Sequence, residues 1–242
     1  MHKMAISHNF KAMLLKEALS AVVIGTSSVT IYLVSLYRAL SRAIEHSSHL
    51  ELCETMTTIK SLPSAFRENM SEYRIVHDIA STSVPALKLQ RYNDKEAMLT
   101  SYIRRNMMCF SRFPQAWAIY YMVKSSELQQ TFKRAYIQSL DFQVGDVVCG
   151  VYRVELRSPN SVELGMAPFQ GSPPVDGLLV IEIVDQAGQL TFRNETLQWA
   201  RKESLALLPL EQPVIRWLHN FTTWWLLDTG CKFLSSPRTR SS

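Results

Sequence analysis

The sequence predicts an α+β protein: an antiparallel curved sheet with a long C-terminal helix, preceded by one N-terminal membrane-anchor helix. Three observations support this prediction. A charge-free apolar stretch lies near the N-terminus, β-branched segments separated by turn residues fill the middle of the chain, and an aromatic-rich helical pattern follows Pro213. Hydrophobic residues make up 47% of the 242 residues. The mean hydropathy of −0.04 excludes a protein with many membrane spans.

Residues 18–37 read ALSAVVIGTSSVTIYLVSLY and contain no charged side chain. A helix that crosses a bilayer needs about 20 such residues. We therefore expect a single-pass signal anchor here. A cleaved secretory signal is less favoured, because Tyr37-Arg38 offers no small-residue cleavage site. A soluble amphipathic helix or an organelle-targeting segment stays open as an alternative.

The flanks of this segment set the expected orientation. Lysines precede it, which by the positive-inside rule favours a cytosolic N-terminus and a domain in the lumen of the endomembrane system. In that orientation the three sequons are candidate N-glycosylation sites, at Asn69, Asn194 and Asn220.

The changes in composition along the chain predict its organisation. Five segments are expected: an N-terminal flank (1–17), the anchor (18–37), a juxtamembrane linker (38–95), an α+β small-molecule-binding domain (96–234) and a disordered tail (235–242). The linker is expected to continue the anchor helix as far as Glu54 and to contain one short strand, residues 73–79.

Periodicity and turn residues predict the elements of the domain. Ser125 or Ser126 caps a helix that ends at Leu140. Strands are expected over 146–156, 162–167, 177–184 and 190–199, the last two joined by a hairpin turn at 185–188. The final helix begins at Pro213, where an N1 proline belongs, and Gly230 is its expected C-cap.

This order of elements, over residues 98–233, resembles the helix-grip fold of the START-like superfamily. The stretch that begins Phe142-Gln-Val-Gly-Asp-Val-Val, the Gly-containing hairpin and the closing Trp-rich helix carry the resemblance. It implies a cavity for a hydrophobic small molecule between the sheet and the last helix. It implies no particular chemistry, because such folds serve as lipid carriers, cyclases and hydrolases alike.

Composition and missing motifs exclude several function classes. The net charge of +5 comes from scattered basic residues, so no nucleic-acid partner is expected. The four cysteines are far apart in the sequence, and no pair of histidines lies near them at the spacing of metal ligands. No metal site is therefore expected. No G-x-S-x-G, P-loop, G-x-G-x-x-G or H-E-x-x-H motif occurs, and no cofactor is expected.

Three ionisable residues are the candidate catalytic groups: Glu182, Arg193 and His219. Glu182 lies within GLLVIEIV and is a general acid or base if it faces the cavity. The alternation of Leu179, Ile181 and Ile183 instead favours Glu182 on the other face. Aromatic side chains are the candidate lining of an apolar pocket, namely Trp117, Tyr121, Tyr152, Trp199, Trp217 and Phe221.

Two functions from different classes follow. The first is a membrane-anchored protein that binds an apolar small molecule, as a cyclase or isomerase in polyketide or terpenoid metabolism. Shape and desolvation can guide such reactions with few catalytic groups. The second is a non-catalytic, membrane-tethered protein that binds a lipid or a partner protein. The sequence does not decide between them or give an oligomeric state.

Overall fold

A computed structural model describes residues 27–50, 59–90, 92, 94–166, 175–205 and 207–236. The chain divides into two compact units, Met1–Arg42 and Ala43–Ser242. In the first unit the described residues belong to a helix, α1, that covers 27–43. Within the described ranges no helix is both long enough and apolar enough to span a bilayer. Residues 18–26 lie outside those ranges, so the anchor over 18–37 stays a prediction.

The second unit contains one seven-stranded sheet in which every neighbouring pair is antiparallel. The order across the sheet is β1-β2-β7-β6-β5-β4-β3. The strands are β1 (Glu45–His49), β2 (Tyr73–Pro85), β3 (Val147–Val148), β4 (Tyr152–Arg157), β5 (Ser161–Met166), β6 (Asp176–Gln186) and β7 (Gln189–Arg201).

Six α-helices complete the described part of the second unit. They are α2 (Ser64–Glu68), α3 (Lys95–Phe110), α4 (Pro114–Met122), α5 (Ser126–Gln130), α6 (Arg134–Ser139) and α7 (Pro213–Ser235). Helices α3 and α7 pack against each other, and α7 also packs on β2 and β7. The predicted α+β class is therefore confirmed. The curved antiparallel sheet with its long C-terminal helix is compatible with a helix-grip layout.

Successive side chains of a strand point to opposite sides of the sheet. Helices pack against the side chains of both faces. On the helix face, Tyr102 of α3 packs on Phe192 of β7 with ring centroids 5.1 Å apart. On the outer face, Phe66 of α2 lies 4.7 Å from the ring of Trp199. The outer-face core consists of Ile59, Leu62, Phe66, Ile75, Leu178, Val180, Leu197 and Trp199.

The segment expected to be a linker, 38–95, supplies two strands of the sheet. The compact unit begins at Ala43, and β2 pairs along its whole length with β7. The expected helix up to Glu54 ends at residue 43, where β1 takes over. The sequence EHSSH of β1 has no apolar alternation, so its strand character comes from pairing with β2 rather than from its own pattern.

Three further elements differ from expectation. The helix predicted to end at Leu140 is two helices, α5 and α6, because the Thr131 hydroxyl donates to Leu128 O and accepts from the Gly150 N–H. The predicted strand 146–156 is divided at Cys149 and Gly150, whose φ angles are positive (50° and 76°). Gly230 is not a C-cap. It lies inside α7, where an added Cβ would meet a Tyr102 ring carbon at 2.6 Å.

Candidate functional site

A chain of ionisable side chains crosses three strands on the outer face. His77 of β2 lies with Nε2 3.0 Å from Glu195 Oε2 of β7. Glu195 Oε1 lies 2.8 Å from Arg193 Nε, and Arg193 Nη2 donates to Glu182 Oε2 of β6 at 2.7 Å. The strand register brings the Glu182 and Arg193 side chains together, because the two residues are directly opposite each other and cross-strand partners share a face.

This outer-face network is buried at one end and open at the other. The side chains of His77 and Glu195 are 0% and 1% exposed, whereas those of Arg193 and Glu182 are 26% and 24% exposed. Each Glu195 oxygen has a nitrogen partner within 3.0 Å. Buried charges persist when they are paired in this way, so the network is most simply a structural brace across β2, β7 and β6.

A second ionisable pair lies on the helix face. Asp78 follows His77 on β2, so its side chain points to the opposite side of the sheet. There it meets His219 of α7, whose Nε2 lies 3.8 Å from Asp78 Oδ2. The pair borders a cavity of about 20 Å³, which is room for about one water molecule. The other polar residues around this cavity are His46, Ser47, Ser48, Asn220 and Thr223.

The Asp78 carboxylate of this pair lacks hydrogen bonds within the part of the chain that the structure describes. Neither carboxylate oxygen of Asp78 has a hydrogen-bond donor among the described residues, although only 10% of the side chain is exposed. An unsatisfied buried carboxylate is energetically unfavourable, and such groups concentrate at functional sites. Burial lowers the pKa of His219 below its ordinary value, and the neighbouring Asp78 carboxylate partly opposes this shift. His219 is therefore biased towards the neutral imidazole, which can accept a proton.

A larger cleft opens where β2 begins and α7 starts. Its volume is about 520 Å³, within the usual range of small-molecule sites. Its lining is mixed. It contains the apolar or aromatic residues Leu50, Met70, Tyr73 and Ile75 and the charged residues Arg74, Lys202, Arg216 and Glu211.

The charged residues of the lining carry a net positive charge. Arg74 is bound by Glu211, with Nη1 2.9 Å from Oε2, so this pair is neutral overall. Arg216 uses Nε to donate to Leu210 O at 2.6 Å, which fixes the side chain and leaves its positive charge without a carboxylate partner among the described residues. Lys202 is exposed and likewise has no carboxylate partner in the described part of the chain. Two positive charges thus face the cleft.

The structure brings together two of the three candidate catalytic residues. Glu182 and Arg193 form an ion pair in the outer-face network, on the side of the sheet that the alternation of β6 favoured for Glu182. His219 lies on the helix face, on the opposite side of the sheet. The three residues therefore form no common site.

The six candidate pocket aromatics do not converge on one cavity. Trp117 and Tyr121 are exposed on α4, and Trp199 is buried in the outer-face core. Tyr152 packs edge-to-face on Phe110 at 5.8 Å, and burial raises its pKa above the ordinary tyrosine range. The remaining two, Trp217 and Phe221, stack on each other near the start of α7, with centroids 6.0 Å apart.

The sequons differ in accessibility. Asn69 is exposed, Asn220 is half-buried and Asn194 is buried, where its side-chain oxygen accepts a hydrogen bond from Tyr102 at 3.4 Å. A glycan on Asn194 is incompatible with this packing.

Sequence reasoning missed Asp78 and Glu195 as site residues. One signal was available for Asp78, because aspartate is depleted in strands and here interrupts the pattern of residues 73–79. No signal was available for the contact of Glu195 with His77, which depends on register between distant segments. No group of three or more acidic, histidine or cysteine side chains in the described ranges is arranged to hold a metal ion.

No protein family model matches the chain, and neither the curated proteins nor the solved structures contain a significant match. The geometry of the described residues therefore carries the functional proposals.

Proposed function

We propose that this protein binds a small amphiphilic molecule, with an apolar body and one anionic group, in the cleft between β2 and the start of α7. The observation that carries the proposal is a lining that combines apolar residues with two cations, Arg216 and Lys202, that have no carboxylate partner among the described residues. An anion would contact Arg216 and Lys202, while the apolar body lies against Met70 and Tyr73. The layout of the sheet and last helix resembles the helix-grip fold of START-like proteins, which hold hydrophobic ligands, and this resemblance supports the proposal.

The same chain would act at a membrane if residues 18–37 anchor it, as the sequence predicts. A lipophilic ligand concentrates in the bilayer, so an anchored domain would meet it there. If binding is the whole activity, the protein is a non-catalytic lipid carrier, which is the second function expected from the sequence.

The unpartnered Asp78 carboxylate favours a second candidate, an isomerase-type enzyme acting on an apolar metabolite of the polyketide or terpenoid kind. Asp78 would accept a proton from an acidic C–H of the substrate and return it to a neighbouring carbon, while the neutral His219 imidazole would donate an N–H hydrogen bond to the substrate. The proton removed is the proton returned, unless Asp78 exchanges it with solvent in between, so the reaction balances without a cofactor. Because the cavity beside the pair holds about one water, a substrate could enter only when α7 moves away from β1 and β2.

Binding can be tested with cis-parinaric acid, a fluorescent fatty acid, and its uncharged methyl ester. The acid should bind more tightly than the ester. The double variant Arg216→Ala/Lys202→Ala should weaken binding of the acid at least tenfold, because even one charge-assisted contact contributes about 1.5–3 kcal/mol and about 1.4 kcal/mol is a factor of ten. Lys88→Ala, an exposed lysine in the turn Ala86–Leu89, is the matched control. Equal binding of acid and ester, unaffected by the double variant, would refute the anionic site.

The isomerase candidate predicts proton exchange with solvent. A cell extract incubated in D₂O with the protein should contain a small molecule that gains deuterium only when the protein is present. Asp78→Asn should abolish this gain, whereas Glu182→Gln should not, because Glu182 lies on the other face. If no metabolite gains deuterium, the binding function stands alone.

A further inference from the structure

Helix α4 exposes an unusually apolar surface. Residues 113–123 (FPQAWAIYYMV) contain no charged side chain. Trp117 is 56% exposed, Tyr121 is 82% exposed and Met122 is 47% exposed. Monomeric proteins rarely expose several large apolar side chains side by side, and a patch of this kind marks an interaction surface.

The exposure is fixed by how α4 is held. Gln115 Nε2 donates to Leu218 O at 3.1 Å and lies 2.9 Å from Thr222 Oγ1, so the first turn of α4 is tied to α7. Phe113 packs on Trp225 at 5.4 Å. Ala116 and Val123 are buried beneath the helix. With these contacts satisfied on one side, the aromatic side chains are left facing outward.

Positive charge surrounds this aromatic surface. Residues 112–134 contain four basic side chains, Arg112, Lys124, Lys133 and Arg134, against the single acid Glu127, which gives +3 of the +5 carried by the whole chain. All five side chains are exposed. None of them forms an ion pair within the described residues. Arg112 and Lys124 stand immediately before and after the uncharged segment.

We propose that α4 docks the folded domain on an anionic membrane surface. Trp117 and Tyr121 would enter the interface between headgroups and acyl chains, where tryptophan and tyrosine are enriched. Arg112, Lys124 and the basic start of α6 would contact the anionic headgroups. This docking is separate from the anchor predicted over 18–37 and from the cleft, and depends on neither.

Charge complementarity favours a bilayer over a protein as the occupant. Cations at both ends of an uncharged aromatic helix match a surface that is anionic at its boundary and apolar immediately beneath. The short α4 would therefore lie in the plane of the interface, not across the membrane.

The test is hydrogen–deuterium exchange of the full chain with two kinds of vesicle, phosphatidylcholine alone and phosphatidylcholine with phosphatidylserine. The expected result is several-fold slower amide exchange over residues 113–123 with the anionic vesicles and a smaller change with the neutral ones. High salt should reverse the protection, because headgroup attraction is screened.

Two variants assign the effect. Trp117→Ser/Tyr121→Ser should remove the protection with both vesicles, and Arg112→Glu/Lys124→Glu should remove the difference between them. Leu87→Ser, which replaces a side chain that is 77% exposed in the turn Ala86–Leu89, is the control and should change neither. Exchange of β7 within each variant verifies that the fold is intact. Unchanged exchange of 113–123 with both vesicles would overturn the proposal and direct the search for its occupant to a protein partner.

Discussion

Asp78 and Glu195 are two buried carboxylates on neighbouring strands, but they lie on opposite faces of the sheet. Glu195 has His77 at one oxygen and Arg193 at the other. Asp78 has no hydrogen-bond donor at either oxygen within the described ranges, and its closest cation candidate, His219, is 3.8 Å away. One fold thus contains a buried acid with a nitrogen partner within 3.0 Å of each oxygen, one of them hydrogen-bonded, and a buried acid with no hydrogen bond from the described residues at either oxygen.

This difference separates stability from function. Removal of one partner of a buried, paired charge is strongly destabilising, because the other charge stays buried without compensation. A buried charge without partners is destabilising as it stands, and its persistence indicates a requirement other than folding. The outer-face network is therefore expected to act in stability, and the Asp78–His219 pair in chemistry or ligand binding.

The largest effect is expected from Glu195→Ala. It leaves His77 without its carboxylate partner and Arg193 with Glu182 alone. Breaking a buried pair in this way typically lowers the free energy of unfolding by about 3–5 kcal/mol. Urea denaturation measures the change, with Glu195→Gln as the control that keeps the shape of the side chain. A decrease in the free energy of unfolding below about 1 kcal/mol, which is the range for exposed ion pairs, would contradict a stabilising role for the network.

Asp78→Asn should act in the opposite direction. Removing an unsatisfied buried charge is expected to raise the free energy of unfolding by about 1–2 kcal/mol. The same urea titration measures this increase, and the deuterium incorporation that the isomerase proposal predicts should be lost in the same variant. If the variant is instead clearly destabilised, the carboxylate has a stabilising partner and the contrast with Glu195 is lost.

The pH dependence of the free energy of unfolding should further distinguish the Asp78–His219 pair from the outer-face network. Burial depresses the pKa of His219 in the folded state below 6.5, so the unfolded chain takes up this proton at a higher pH than the folded chain does. The free energy of unfolding therefore decreases towards lower pH, by at most about 1.4 kcal/mol per pH unit. His219→Gln should remove this part of the slope in urea titrations above and below pH 6.5. An unchanged slope would show that His219 is protonated equally in both states.

The smallest effect is expected at the open end of the network. Glu182→Gln removes one partner of Arg193, which keeps Glu195, and both side chains are partly exposed. Such pairs contribute less than about 1 kcal/mol, so urea denaturation should detect little change. A decrease in the free energy of unfolding as large as that of Glu195→Ala would mean that burial does not determine how much each pair of the network contributes to stability.

The parts of the fold that local patterns govern could be predicted from the sequence. The hairpin between β6 and β7 follows from its turn, where Ala187 and Gly188 have positive φ. The start of α7 follows from Pro213. Strand β1 could not be predicted, because its polar sequence becomes a strand only through pairing with β2.

The same reasoning divides the candidate site. Strand parity correctly placed Glu182 away from α7, and cross-strand register, which no local pattern encodes, brought it to Arg193. Strand parity also implies that His77 and Asp78 face opposite sides of the sheet, but it does not identify the residues that each of them contacts. Those partners come from β7 and α7, more distant segments whose positions are set by tertiary packing.

The pairing of β2 with β7 has a consequence for how the chain folds during synthesis. Strand β2 ends at Pro85, whereas its partner begins only at Gln189. At a synthesis rate of roughly 5–20 residues per second, β2 waits on the order of 10 seconds on the ribosome without its central neighbour. The sheet cannot close until nearly the whole chain has emerged, so β2, with its apolar Ile75 and Val76, is the segment most in need of chaperone protection in the nascent chain.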